Sequence, residues 1–328
     1  MKRILFVVLA LIFATLFIPL IIVSLLSGTN APPSDTVSVY IKSEDKVEEM
    51  AINDYLKCVV AAEMPVDFNE EALKAQAVAA RTYLVSHMQG EPSEEHKGAD
   101  VCSDYAHCQA YISEEERTAS WGDAAKANWE KINGAVEATD GLIIKYDNKP
   151  ISAVFHSTSS GKTERAADVW GEDIPYLQSV DSQGDERSPK YTSEVRLSID
   201  EFKRIASENI EGVNWDNGLY SNIERSDAGG IITLDIGGQN IKGTKFRSMF
   251  DLNSTNAEIN EGGGAVTMSV RGYGHGVGMS QYGANYLAEE GMGFEDILKS
   301  YYTGVKIGKM VKVHKNYRNF CALLKQMY

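Results

Sequence analysis

An α+β fold is predicted by three features of this chain. Runs with strand alternation, such as Thr36–Ile41 and Ile231–Ile236, are interspersed with helical runs in no regular βα order. Asn69–Met88 has strong helical character, with Leu73, Ala77, Ala80 and Leu84 at i, i+4, i+7 and i+11 on one small apolar face. Ahead of everything, Ile4–Leu26 is a stretch of 23 residues without a charge. The predicted architecture is therefore mixed strands and helices in a large extracytoplasmic region behind one N-terminal transmembrane helix.

The elements follow in order. Lys2 and Arg3 precede the apolar stretch and should stay cytoplasmic, placing the remainder outside. The stretch is longer than a signal-peptide core and lacks an Ala-x-Ala-like exit, so an uncleaved anchor is expected. Residues 1–28 are thus a cytoplasmic tip and anchor, 29–35 a tether and 36–328 the outer region, with room for two subdomains. The expected location is the cell membrane, single-pass. After the strand at Thr36–Ile41, a helix runs up to Ala62 and ends because Pro65 disfavours α geometry at Met64. Leu142–Tyr146 and Ile151–Phe155 read as strands flanking a hairpin loop at Asp147–Pro150. Glu194–Leu197 is a further strand. Ser198, with Glu201 three residues on, starts a helix reaching Ser207. Phe294, Ile297, Leu298 and Tyr301 have helical spacing, and Gly304 is placed to cap that helix.

The 328 residues are 43% hydrophobic and 24% charged, which is ordinary globular composition. A formal net charge of −14 argues against non-specific nucleic-acid binding.

Glu63 is the leading candidate for chemistry. It sits at the negative end of a helix among Val59, Val60, Ala61, Ala62 and Met64. Both conditions favour a protonated carboxyl, as a general acid requires; the alternative is a hydrated Glu in a last turn. His96, Cys102, His107 and Cys108 form a complete Cys2His2 set for structural zinc, with a Cys102–Cys108 disulfide as the competing account. Gly272, Gly274, Gly276 and Gly278, if extended, leave one face bare for a sugar ring or a packed neighbour. His275 with Ser280 has the residue types of a hydrolase dyad, but no orienting acid accompanies it. Phe155–Thr163 offers hydroxyls, an imidazole and a lysine. Trp170 and Tyr176 serve either as a stacking platform or as packing.

Together these strings resemble one family. Tyr55–Pro65 followed by Glu71–Tyr83, then Phe155–Thr163, Val169–Gly171, Pro175–Asp181 and Gly272–Ala284 are similar, in order, to the stage II sporulation protein D family. The resemblance implies a membrane-anchored lytic transglycosylase that cuts peptidoglycan glycan strands during forespore engulfment. A sporulation amidase and other membrane engulfment proteins would be its partners, and 36–328 its lytic region. It implies that Glu63 is the catalytic acid, needing no cofactor for the chemistry. It further implies that Arg81, Tyr83, His156, Ser157, Lys162, His275, Ser280 and Gln281 surround the glycan. Two rival readings are a non-catalytic glycan-binding activator of an amidase and, more weakly, a zinc hydrolase.

Overall fold

The structure, a computed structural model, describes residues 36–89 and 93–310. The expected anchor and tether, and the fourth cysteine, Cys321, lie outside the described residues. Among those described, no helix is long and apolar enough to cross a membrane.

Strand β1 (Thr36–Ile41) buries Val37, Val39 and Ile41 on alternate positions. It pairs antiparallel with β2 (Lys46–Ala51) and parallel with β3 (Val101–Cys102). Helix α1 (Ile52–Glu63) leaves β2 directly and stops where expected, since Met64 is extended (φ −124°, ψ 136°) ahead of Pro65. Helix α2 (Glu70–Gln89) is buried on more than the one expected face. Ala72, Ala75, Val78 and Ala79 are as covered as Leu73, Ala77, Ala80 and Leu84. Such a helix is a central strut, and its small side chains let α1 and three later elements close on it: α4 (Ala125–Ala138), α8 (Gln281–Glu289) and α9 (Phe294–Tyr301). Helix α3 (Glu114–Trp121), not anticipated, opens with a capping box between Ser113 and Glu116.

The hairpin of β4 (Leu142–Tyr146) and β5 (Lys149–Pro150) turns at Asp147 and Asn148, both with positive φ. The strand expected over 151–155 shrinks to β6 (Phe155–His156), paired in parallel with β13 (Met279–Ser280). Helix α5 (Ala166–Trp170) follows, and β14 (Lys306–Lys309) closes the far side of β4.

Two hydrophobic clusters result. The first combines β1, α1, α2, α4, α8 and α9. The second lies wholly within residues 195–270. Its elements are β7 (Thr192–Ser198), α6 (Ile199–Asn209), β8 (Tyr220–Arg225), β9 (Ile231–Ile236), β10 (Gln239–Lys242), α7 (Gly243–Met249), β11 (Ala257–Gly262) and β12 (Ala265–Arg271). They form two three-stranded antiparallel sheets, β10-β9-β8 and β11-β12-β7. Ser198 caps α6 by accepting from the Glu201 amide.

The Gly272–Gly278 run is not extended. All four of its alternating glycines have positive φ, between 75° and 114°. A Cβ on Gly278 would stand 2.1 Å from the Val154 carbonyl oxygen, and one on Gly272 would stand 2.9 Å from that of Thr158. The bare positions face residues 154–164, so close packing of backbone, not a sugar, accounts for them.

Candidate active site

Glu63 ends α1 at the floor of a cleft of about 360 Å³. One side is formed by α1 and α3, which bring Arg117 and Trp121. The other is formed by Ser157, by Ser188–Lys190, by Tyr273, and by Gln281 and Tyr282 at the start of α8. Glu63 is the one acidic residue lining this cleft among the described residues.

Its carboxyl is half-buried. The Ala110 amide donates to Oε1 at 2.7 Å, and the Gln281 side-chain amide approaches Oε2 at a longer 3.4 Å. Gln281 Nε2 also lies 3.5 Å from Gln76 Oε1, on an otherwise apolar stretch of α2. Burial raises the Glu63 pKa above the usual carboxyl range, and the two donors offset that only in part. No cation among the described residues pairs with it. The cleft's two cations are engaged elsewhere: Arg117 stacks over Trp121 and donates to the Ala61 carbonyl, and Lys190 lies 4.7 Å from the centre of the Tyr273 ring.

Of the eight contacts implied beside Glu63, Ser157 and Gln281 line the cleft and six do not. Arg81 is fully buried and donates to Thr139 O (2.7 Å), Val136 O (3.2 Å) and Asn53 Oδ1 (3.1 Å). It satisfies the last carbonyls of α4, a structural task. Tyr83 stacks on His87 and reaches the His107 carbonyl, behind the Glu63 wall. His156 is buried, its Nδ1 3.2 Å from Val277 O, and burial depresses its pKa to about 3. His275 accepts from the Val277 amide and is likewise held neutral, at about 4. It borders a separate narrow crevice together with Lys162. Ser280 has no exposure; it donates to Asp185 at 2.5 Å and accepts from the Gly283 amide, capping α8. Both ends of a His275–Ser280 dyad are therefore committed to other partners. Trp170 packs on His275 outside the cleft, and the Tyr176 hydroxyl accepts from the Ser152 amide.

The four predicted metal ligands do come together. Their donor atoms all lie within 4.8 Å of one another. His96 Nε2 is 2.9 Å from His107 Nδ1, Cys108 Sγ is 3.2 Å from His96 Nε2, and Cys102 Sγ is 3.6 Å from His107 Nδ1. Ligand bonds of roughly 2.0–2.3 Å give a tetrahedron with edges of about 3.3–3.8 Å, so this cluster can hold a metal ion. Cys102 and Cys108 are free thiols, and Cys58 is free and buried. Cys108 stands two residues before Ala110, whose amide grips Glu63.

Sequence reasoning missed Gln76, Ala110, Arg117, Trp121, Ser188, Lys190 and Tyr282. The Ser113-x-x-Glu116 capping signature could have revealed α3, and with it Arg117 and Trp121. Nothing local marks Ser188 or Lys190.

A family model described as stage II sporulation protein matches residues 40–146. Stage II sporulation protein D of Bacillus amyloliquefaciens is 40% identical over 274 residues, covering 84% of this chain and 79% of that one. Its Bacillus subtilis (strain 168) counterpart is 39% identical over the same shares. This chain belongs to the stage II sporulation protein D family. An amidase enhancer of Bacillus subtilis is more distant, 28% identical over 77% of this chain and 40% of its own length. The family places the chain in sporulation.

Proposed function

We propose that the protein is a lytic transglycosylase cleaving the β-1,4 bond between N-acetylmuramic acid and N-acetylglucosamine in peptidoglycan during engulfment. The observation that carries this reading is a lone, desolvated carboxyl, Glu63, in a cleft with no second acid among the described residues. Hydrolysis at a glycosidic bond ordinarily uses two carboxylates. A single one suffices when the nucleophile belongs to the substrate.

The steps follow. The Ala110 amide occupies Oε1, leaving Oε2 to carry the proton. Glu63 delivers that proton to the bridging oxygen as the C1–O bond breaks and an oxocarbenium-like centre forms on the muramic residue. The carboxylate produced is stabilised by the Ala110 and Gln281 donors. It then removes the proton of that sugar's 6-hydroxyl, whose oxygen closes on C1 to give the 1,6-anhydro ring. Glu63 ends protonated again. Trp121, Tyr273 and Tyr282 offer aromatic surface to sugar rings. His96, Cys102, His107 and Cys108 would hold zinc as a structural clip, which tethers the loop leading to Ala110 and supplies no chemistry to the sugar.

The anchor of residues 1–28 would hold the cleft on the outer side of the membrane, beside an amidase partner. The amidase enhancer relative favours a second reading, in which the cleft binds glycan and activates an amidase without cutting. Digestion of defined, peptide-free glycan with wild type and Glu63→Gln, analysed by mass spectrometry, separates the two. Anhydro ends from wild type alone are expected. Reducing ends, or equal activity of the variant, overturn the mechanism.

A further inference from the structure

Asp185 lies in the Gln-Gly-Asp-Glu-Arg turn, where an acid reads from sequence as a solvated charge. It is instead 1% exposed. Its Oδ1 accepts from Ser280 Oγ at 2.5 Å and from the Ser159 amide at 2.6 Å. Its Oδ2 accepts from Ser182 Oγ at 2.5 Å, and Ser182 in turn meets the Tyr301 hydroxyl at 2.9 Å. Three donors on one carboxylate define its position far more tightly than Glu63 is held.

Two of the donors stand beside different parts of the cleft's second wall. Ser280 caps α8, whose next residue is Gln281. Ser159 ends the short stretch that presents Ser157. The turn bearing Asp185 also ends in Ser188, which lines the cleft and accepts from the Thr158 hydroxyl at 2.9 Å. The turn is itself seated on α8: a Cβ on Gly184 would stand 2.2 Å from Tyr286 Cβ, and Arg187 lies over the Tyr286 ring. The network also presses on the α8 backbone, since a Cβ on Gly283 would stand 2.1 Å from the Tyr301 hydroxyl.

We infer that Asp185 is a positioning residue: its buried carboxylate locks the start of α8 and the Ser157 stretch together, and so aims the Gln281 amide at Glu63. This rests on the reading of Glu63 as the acid. Asp185 touches no substrate. It acts by fixing a donor that must meet the carboxylate formed during bond breaking, where a displacement of about 1 Å costs up to about 100-fold.

The test uses the intact protein with two readouts. Steady-state cleavage of peptide-free glycan gives kcat and KM, and the Gln281 side-chain amide resonances report its placement. Asp185→Leu keeps the shape and removes every acceptor. It is expected to lower kcat by up to about tenfold with KM within about twofold, and to move the Gln281 resonances. Asp185→Asn keeps Oδ1 for Ser280 and Ser159 and is expected to stay within about threefold of wild type. Should Asp185→Leu fold poorly, Ser280→Ala removes a single hydroxyl and is expected to give the same signature. The two changes together should be no worse than the larger one alone, because they break one path. Additive losses, a loss confined to KM, or unmoved Gln281 resonances overturn the proposal. A wild type that cuts no glycan refutes the Glu63 reading instead, and the resonances still decide whether Asp185 places Gln281.

Discussion

Two carboxyls stand on either side of Gln281, and burial raises the pKa of both. Their surroundings differ in kind. Asp185 is sealed, with three donors at 2.5–2.6 Å. Glu63 opens to a cleft, with one good donor and one long one. A fully satisfied buried carboxylate has no freedom to trade protons and serves as a fastening point. An under-satisfied one beside an open cavity holds its proton more readily than a hydrated carboxyl does, as a general acid requires. Burial alone therefore does not identify a catalytic acid; the count of donors around it does.

The same amide substitution at both positions is the harshest test of this contrast. Glu63→Gln is expected to lower cleavage by about 1,000-fold, while Asp185→Asn stays near wild type. Equal losses in a glycan-cleavage assay would erase the distinction. Removal of metal comes next. Stripping the purified protein with a chelator should free the loop before Ala110, lowering the melting temperature by roughly 10 °C and activity by more than tenfold, both restored by zinc. Unchanged melting after verified metal loss would detach the cluster from the site. Gln281→Ala removes the long donor and should reduce kcat about tenfold, read from initial rates at saturating glycan. The smallest effect is thermodynamic. A raised folded-state pKa means the Glu63 carboxyl favours folding while protonated, and that advantage disappears as pH rises through the folded-state value. The melting temperature of Glu63→Gln should thus match wild type near pH 4 and exceed it by about 2 °C at pH 8, with differential scanning calorimetry as the check.

Much of the scaffold was legible in the chain because it rests on local rules. Pro65 set the end of α1, Ser198 set the start of α6, and alternation located β1 and β9 to the residue. Glu63 was legible for the same reason: a helix end and apolar neighbours are sequence-local facts. The grouping of His96, Cys102, His107 and Cys108 was compact enough in sequence to read. The rest of the site was not. Arg81, His156 and Ser280 look like substrate contacts as residue types, yet each is spent on a buried backbone or carboxylate partner. Asp185 looks solvated and is not. These outcomes depend largely on partners 26 to 121 residues away, which no local pattern encodes. The glycine run failed differently, because alternation suggested an extended strand where positive φ at every second residue makes a tight fit against 154–164.

Thr192 and Arg271 are partners in the same ladder. The chain therefore leaves and rejoins the helical body side by side, and residues 193–270 form a detour with an apolar interior of its own that also touches the body through Ala228, Gly230 and Asn253. Lys190 and Tyr273 lie just outside that doorway, on the body's side of it. Gly274, the neighbour of Tyr273, donates its amide to the Asn253 carbonyl inside the detour, and Glu164 accepts from the Gly230 amide there. The outer face of the detour is thus open to change, whereas the side turned toward Ser160, Glu164 and Gly274 is tied to the strands beside the cleft.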